Sequence, residues 1–312
     1  MTIGSGNLIV ASDYNTIQNR VAVILGTGGV NPSGGSDATY GYGQSPASSQ
    51  VSVGNSIAAS HMINLKADLE SLSIHQTGAV YSPALATIAA GGTISASDWT
   101  AYSNAAVALE SARFTAAGAQ MSLSASDLAP TTTNWNGTVT HIFTATFGSA
   151  NAARAFFNAG GEIRVNPSNS VVGGGTKGGA WGTLLNSFRP VRFNYTNTTA
   201  SAGTGTSIGW YDLTNSYQTI FSIVDSGTYS GNDVQVSALC DVANNSGGTA
   251  SVLTIRIQYN DDGVFGTTPP GDENVNGTLT STIQNLRPLA ATPPAGATVT
   301  VSAPSFSTTT WP

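Results

Sequence analysis

Charge is what this chain has least of. Charged side chains make up 8% of its 312 residues, against about 25% in ordinary soluble domains. Lys66 and Lys177 are its only lysines, and among the arginines only Arg189 and Arg192 stand close together. A phosphate-binding face needs a clustered basic stripe. With a net charge of −6, the chain offers none, so nucleic acid is not expected as a partner. No apolar run approaches the ~20 residues of a spanning helix, so membrane insertion is not expected either. Cys240 is the only cysteine, which excludes an intrachain disulfide. It ends the alternating run Val234 to Cys240, where a small buried hydrophobe in a strand is the expectation. The opening Met1-Thr2-Ile3-Gly4-Ser5 has neither the basic region nor the apolar stretch of an export signal.

What fills the gap is glycine, serine, threonine, asparagine and alanine. Hydrophobic residues reach 40%, enough to build a core, so low charge here does not mean disorder. The surface is made polar by hydroxyls and amides. The length suggests two domains, because single cores stop growing near ~250–300 residues.

The first third contains an internal repeat. Gly6 to Tyr14, Gly54 to Met62 and Gly91 to Trp99 each read Gly-x-x-Ile-x-Ala-Ser-x-(bulky). The isoleucine predicts a short extended anchor. The serine, Ser12, Ser60 or Ser97, predicts a helix N-cap. An apolar face follows at spacings of three and four: Ile17, Val21 and Ile24 in the first unit, Leu65, Leu69 and Leu72 in the second, Tyr102, Ala106 and Leu109 in the third. Gly26, Gly28 and Gly29 stop the first helix, and the stretch His75 to Gly78 ends the second. The loop between the first two helices carries Tyr40-Gly41-Tyr42-Gly43-Gln44. The plainer reading is an ordered loop pinned by its aromatics; the sharper one is a docking loop, since exposed tyrosine beside glycine is a common contact chemistry, with Tyr40, Tyr42 and Gln44 as candidate interaction residues.

From Ser124 the pattern changes. Pro130 and the run Thr131 to Thr133 read as a linker. Then Thr138 to Phe147 alternates with period two, Ser149 caps a short helix from Ala152 to Asn158, and a strand follows from Glu162. Further alternating runs are Val191 to Tyr195, Tyr217 to Val224, Val234 to Cys240, Leu253 to Tyr259, Leu279 to Ile283 and Val299 to Ala303. Turn residues separate them, as in an antiparallel sandwich. The predicted fold is α+β and mostly β. A short-helix module spans residues 1–128, and a β-sandwich-like domain with a small inserted helix spans 129–312.

Catalytic strings fail on inspection. Gly205-Thr206-Ser207-Ile208-Gly209 matches a nucleophile elbow, which needs a following helix and a later histidine; the last histidine is His141, upstream. The glycine-rich stretch Gly173 to Gly178 lacks phosphate-loop order and reads as a flexible loop. His61, His75 and His141 show no metal-ligand spacing; His141 falls on the apolar face with Val139, Phe143 and Phe147, as a hydrogen-bonded core histidine. The stretch 260–274 reads as an exposed, metal-free connection. Its Asp261, Asp262, Asp272 and Glu273 are the weak candidates for Ca²⁺, which prefers oxygen ligands. No cofactor is expected.

Three segments carry a resemblance: Ile9 to Asn15, Gly41-Tyr42-Gly43-Gln44, and Arg154-Ala155-Phe156-Phe157-Asn158-Ala159-Gly160-Gly161-Glu162-Ile163-Arg164. Together they look like a family of virion structural proteins of tailed bacteriophages of cyanobacterial and marine hosts. The resemblance covers roughly the first two thirds of the chain. It implies a non-enzymatic component of the assembled virion, part of the tail (fibre or baseplate periphery) or neck, and carries over no catalytic residues. Its partners would be copies of itself and other virion proteins. The alternatives are a host-surface carbohydrate-binding module, with Trp181, Trp210, Tyr211 and Tyr229 as rim aromatics, a capsid decoration protein, or a polysaccharide depolymerase. Synthesis in the cytoplasm and release by lysis would explain an extracellular composition without an export signal.

Overall fold

The computed structural model describes residues 9–26, 41–172, 176–262, 273–288 and 299–311. Among the described residues, five α-helices and two antiparallel sheets make an α+β fold, mostly β, with the first three helices leading. The chain divides into two compact units that are not consecutive stretches. One comprises Met1–Ser122, Arg154–Gly161 and Arg287–Ser302; the other comprises Leu123–Ala153, Glu162–Leu286 and Ala303–Pro312. The helical unit therefore recruits two later segments, which a single boundary near residue 128 does not capture.

In the helical unit, α1 (Ala11–Leu25), α2 (Ala59–Thr77) and α3 (Ala96–Ser111) each pack on the other two. The residues predicted for their apolar faces, from Ile17 through Leu109, are all buried. Near their starts, the Tyr14 hydroxyl donates to the His61 carbonyl at 3.1 Å. Near their ends, Gln76 Nε2 donates to the Leu109 carbonyl at 3.0 Å, and Arg20 pairs with Glu110. The three helices thus run in one direction.

The repeat is structural, with a correction at its caps. The helices begin one residue before the serines, so Ser12, Ser60 and Ser97 lie inside the first turn and are exposed. The N-caps are Val10, Ala58 and Ser95. What recurs is a side chain three residues on that reaches back to the cap amide: Asp13 Oδ2 to Val10 N at 3.0 Å, His61 Nδ1 to Ala58 N at 2.9 Å, Asp98 Oδ2 to Ser95 N at 3.1 Å. Only Ser95 also caps by its own hydroxyl, accepting from Asp98 N. The bulky residues that follow, Tyr14, Met62 and Trp99, are fully buried.

The β unit contains two six-stranded sheets. Central to the first are β11 (Val275–Pro288) and β4 (Glu162–Asn169), followed by β5 (Val191–Phe193) and β6 (Thr198–Thr199), with β1 (Met121–Leu123) and β2 (Thr131–Trp135) both beside β11. The second runs β12 (Ser305–Trp311), β3 (Gly137–Thr146), β10 (Val252–Asp261), β9 (Asp233–Cys240), β8 (Gln218–Val224), β7 (Thr204–Gly205). Along β10, Leu253, Ile255, Ile257 and Tyr259 share the buried face, as their alternation predicts. Cys240 is buried in β9.

Three stretches depart from expectation. The threonine run is no linker: it forms β2, paired to β11 with Thr132 opposite Leu279. Val299 to Ala303 is not a strand; Val299 and Val301 are buried, and the terminal strand is β12, paired to β3. The glycine-rich stretch read as a flexible loop, Gly173 to Gly178, runs into a helix: Lys177 and Gly178 open α5 (Lys177–Phe188), capped by the Thr176 hydroxyl accepting from Gly179 N at 3.2 Å. Residues 173–175 lie outside the described set. The small inserted helix is α4 (Ala150–Asn158), with Ser149 Oγ accepting from Ala152 N as predicted.

Candidate functional site

The contact-loop residues fall on a junction rather than a surface. Tyr42 is 1% exposed. Its amide donates to the Ile24 carbonyl at 2.8 Å, its hydroxyl donates to the Arg113 carbonyl and accepts from Gln76 Nε2, and its ring meets His75 edge-on at 4.9 Å. The C-terminal ends of α1, α2 and α3 therefore meet on one tyrosine. At Tyr42 the loop is therefore pinned by its aromatic side chain, which corrects the docking-loop reading at that residue. Gln44 is half-buried and pairs twice with Thr300, donating from Nε2 at 2.7 Å and accepting at Oε1 from Thr300 N at 3.2 Å. Tyr40 lies outside the described residues.

The same junction gathers the Phe-Phe-Asn-Ala-Gly-Gly string. Asn158 Nδ2 donates to the Gly41 carbonyl at 3.3 Å. At Gly43, a Cβ would sit 3.0 Å from the Ala155 methyl. Gly160 holds φ of 82°, in the region that favours glycine, with the Ala116 methyl 2.9 Å from where its own Cβ would be. Two of the segments that carry the family resemblance thus pack against each other as architecture.

At the opposite end of the helices the three repeats converge. A cleft of about 540 Å³ is lined by Ile9, Val10 and Ala11, by Gly54 to Ile57, and by Gly92 and Ile94. The anchor isoleucines, each the fourth residue of its repeat, are all half-buried. Three parallel helices present their positive dipole ends here; Asp13 and Asp98 supply compensating carboxylates in two of the first turns.

In the β unit, a histidine, a serine and a tyrosine meet in the interior. His141 Nδ1 lies 2.6 Å from Ser281 Oγ, which lies 2.6 Å from the Tyr259 hydroxyl. His141 and Ser281 are fully buried, so a serine beside a histidine base here faces no substrate. Burial pushes His141 down to about 4, keeping the ring neutral as a bridge between sheets: His141 and Tyr259 come from the second sheet, Ser281 from the first. In the helical unit, burial likewise holds His75 down at about 4 against an opposing hydrogen bond with the Ala159 backbone.

The acidic stretch begins inside a strand, not a loop. Asp261 ends β10 and is buried, which corrects the expectation of an exposed connection at that residue. Lys177 Nζ lies 2.8 Å from its Oδ2, and Trp181 Nε1 donates to its Oδ1 at 3.3 Å. Asp262 is exposed, and Glu273 accepts from the Tyr229 hydroxyl at 3.2 Å. Asp272 lies outside the described residues. Among the described residues, no three His, Cys, Asp or Glu side chains are grouped as a metal site would need. Of the rim aromatics, Trp181, Trp210 and Tyr229 are buried and Tyr211 is half-buried. Ser207 of the elbow-like string is exposed and followed by a 3₁₀ turn, Trp210–Asp212, instead of a helix. Sequence reasoning missed the Lys177–Asp261 pair; its one signal was a lysine in a chain that has only one other.

No family model matches the chain, and neither a curated protein nor a solved structure matches it.

Proposed function

We propose that this chain is a structural protein of a tailed-phage virion, working without catalysis as an assembly and attachment component of the tail or neck. One observation carries the reading. The side chains singled out for chemistry, His141, Asp261 and the rim tryptophans, are turned inward and spent on holding the core together. Such a chain acts through shape and surface. Its surface, poor in charge and rich in hydroxyls and amides, suits an extracellular particle. Two of the resembling segments, the Gly41 to Gln44 turn and the string that holds Ala155 and Asn158, support the reading too, since they build the helical junction.

In this reading the helical unit is the docking part, and copies of the chain close around a symmetry axis of the particle. The cleft framed by Ile9, Ile57 and Ile94 is the face we assign to contact with a neighbouring virion chain. A host-surface glycan module fits less well, because Trp181 and Trp210 cannot stack on a sugar from the interior.

Mass spectrometry of purified virions tests the proposal. The protein is expected among the particle components at multiple copies. Its absence there, or a stable monomer that releases reducing ends from host polysaccharide, would overturn it.

A further inference from the structure

Lys177 opens α5 and Asp261 closes β10. Their side chains meet inside the β unit, Nζ 2.8 Å from Oδ2, with exposures of 1% and 0%. An ammonium and a carboxylate at that depth lose their hydration, and mutual attraction recovers it incompletely. The first turn of a helix is also the wrong place for a cation, since the dipole is positive there. The surroundings are aromatic. Trp181, which donates to the same carboxylate, meets Trp135 edge-on at 4.8 Å and Tyr259 at 6.2 Å. A low-dielectric setting of this kind lowers the cost of passing from the ion pair to the uncharged amine and acid. In the uncharged pair, a nucleophilic nitrogen stands 2.8 Å from a carboxyl oxygen, so the two reactants are already brought together.

We propose that Lys177 and Asp261 become joined by an intramolecular amide bond once the β unit has folded. A proton passes from Nζ to the carboxylate. The nitrogen lone pair then attacks Cγ, forming the C–N bond. The C–O bond breaks, and the departing oxygen takes a second proton from nitrogen and leaves as water. One ammonium and one carboxylate yield one amide and one water, with no change of net charge and no oxidant, metal or second reactant. We assign the carriage of the protons to Tyr229 with Glu273. Its hydroxyl is bonded to Glu273 at 3.2 Å, and the charges of both Lys177 and Asp261 act on it. The product removes two buried charges and ties the start of α5 to the end of a central strand. This inference is independent of the virion reading.

The test is the mass of the denatured full chain, followed by peptide mapping. The wild type is expected to be lighter than its sequence by one water, with a branched peptide joining Lys177 to Asp261. Lys177→Ala and Asp261→Ala should each restore the full mass. A succinimide at Asp262-Gly263 would also lose one water, but it would persist in Lys177→Ala and give no branched peptide; that result overturns the proposal. So does a folded wild type of full mass. Should either variant fail to fold, the wild-type peptide map decides by itself. Tyr229→Phe and Glu273→Gln are expected to leave a mixture of linked and unlinked chains that closes slowly with time.

Discussion

Asn158 donates from Nδ2 to the carbonyl of Gly41 at 3.3 Å, across a separation of 117 residues. The bond fastens the end of α4 to the turn that carries Tyr42, and so to the place where the first three helices end. Both partners are buried. Removing the amide leaves the Gly41 carbonyl without this donor, so Asn158→Ala should cost ~1–3 kcal/mol. Denaturant unfolding of wild type and variant measures it. A cost below a few tenths would mean the two segments do not meet.

The repeat makes a prediction about which residue of its first turn matters. Asp13→Ala and Asp98→Ala each remove the bond back to the cap amide and should cost ~0.5–1 kcal/mol. Ser12→Ala and Ser60→Ala lie on the exposed side of the same turns and should stay within ~0.5 kcal/mol of wild type. Thermal melts of the four variants separate the two sets. The reverse order would restore the serines as caps.

Glycine positions differ sharply in what they tolerate. At Gly161 a Cβ would stand 2.4 Å from the Phe156 carbonyl oxygen, while at Gly148 it would meet open space. Gly161→Ala should therefore destabilise by ~1–3 kcal/mol through forced backbone shifts, and Gly148→Ala should be close to neutral. Equal melting temperatures for the two variants would contradict the tight turn after α4.

Acid should weaken this protein through its histidines. Burial keeps His75 and His141 neutral in the fold down to about 4, below the ordinary value of 6.5. As pH falls, the unfolded chain binds protons first. The stability present above pH 6.5 is lost between 6.5 and about 4, by on the order of 3 kcal/mol for each ring. Urea midpoints across that window measure the slope, and His75→Gln or His141→Gln should each remove its own share. A flat profile would place the rings in water.

The face proposed for docking can be probed without disturbing the core. Ile57 is half-buried at the rim of the cleft. Ile57→Asp should leave the melting temperature within a few degrees of wild type while reducing incorporation into particles severalfold. Normal incorporation of the variant would move the contact elsewhere on the chain.

Local pattern was enough to determine much of the architecture. Apolar residues three and four apart mark α1, α2 and α3 because one stripe of a helix must face its neighbours, and strict alternation marks β3, β9 and β10 because successive strand residues face opposite ways. His141 could be placed in the core for the same reason. Tertiary structure decided the rest. In α5, Gly178, Gly179 and Gly182 argue against a helix locally, yet Gly178 packs against the Asn276 carbonyl and Gly182 against Val171, where a side chain has no room. The threonines of β2 became a strand only because β11 offered an edge to pair with. Tyr42 turned inward because three helix ends needed a common hydrogen-bonding partner, a demand that no stretch around Tyr42 records. Lys177 and Asp261 each look like surface residues in sequence. Only the folded chain brings them together and buries the pair beside aromatic rings.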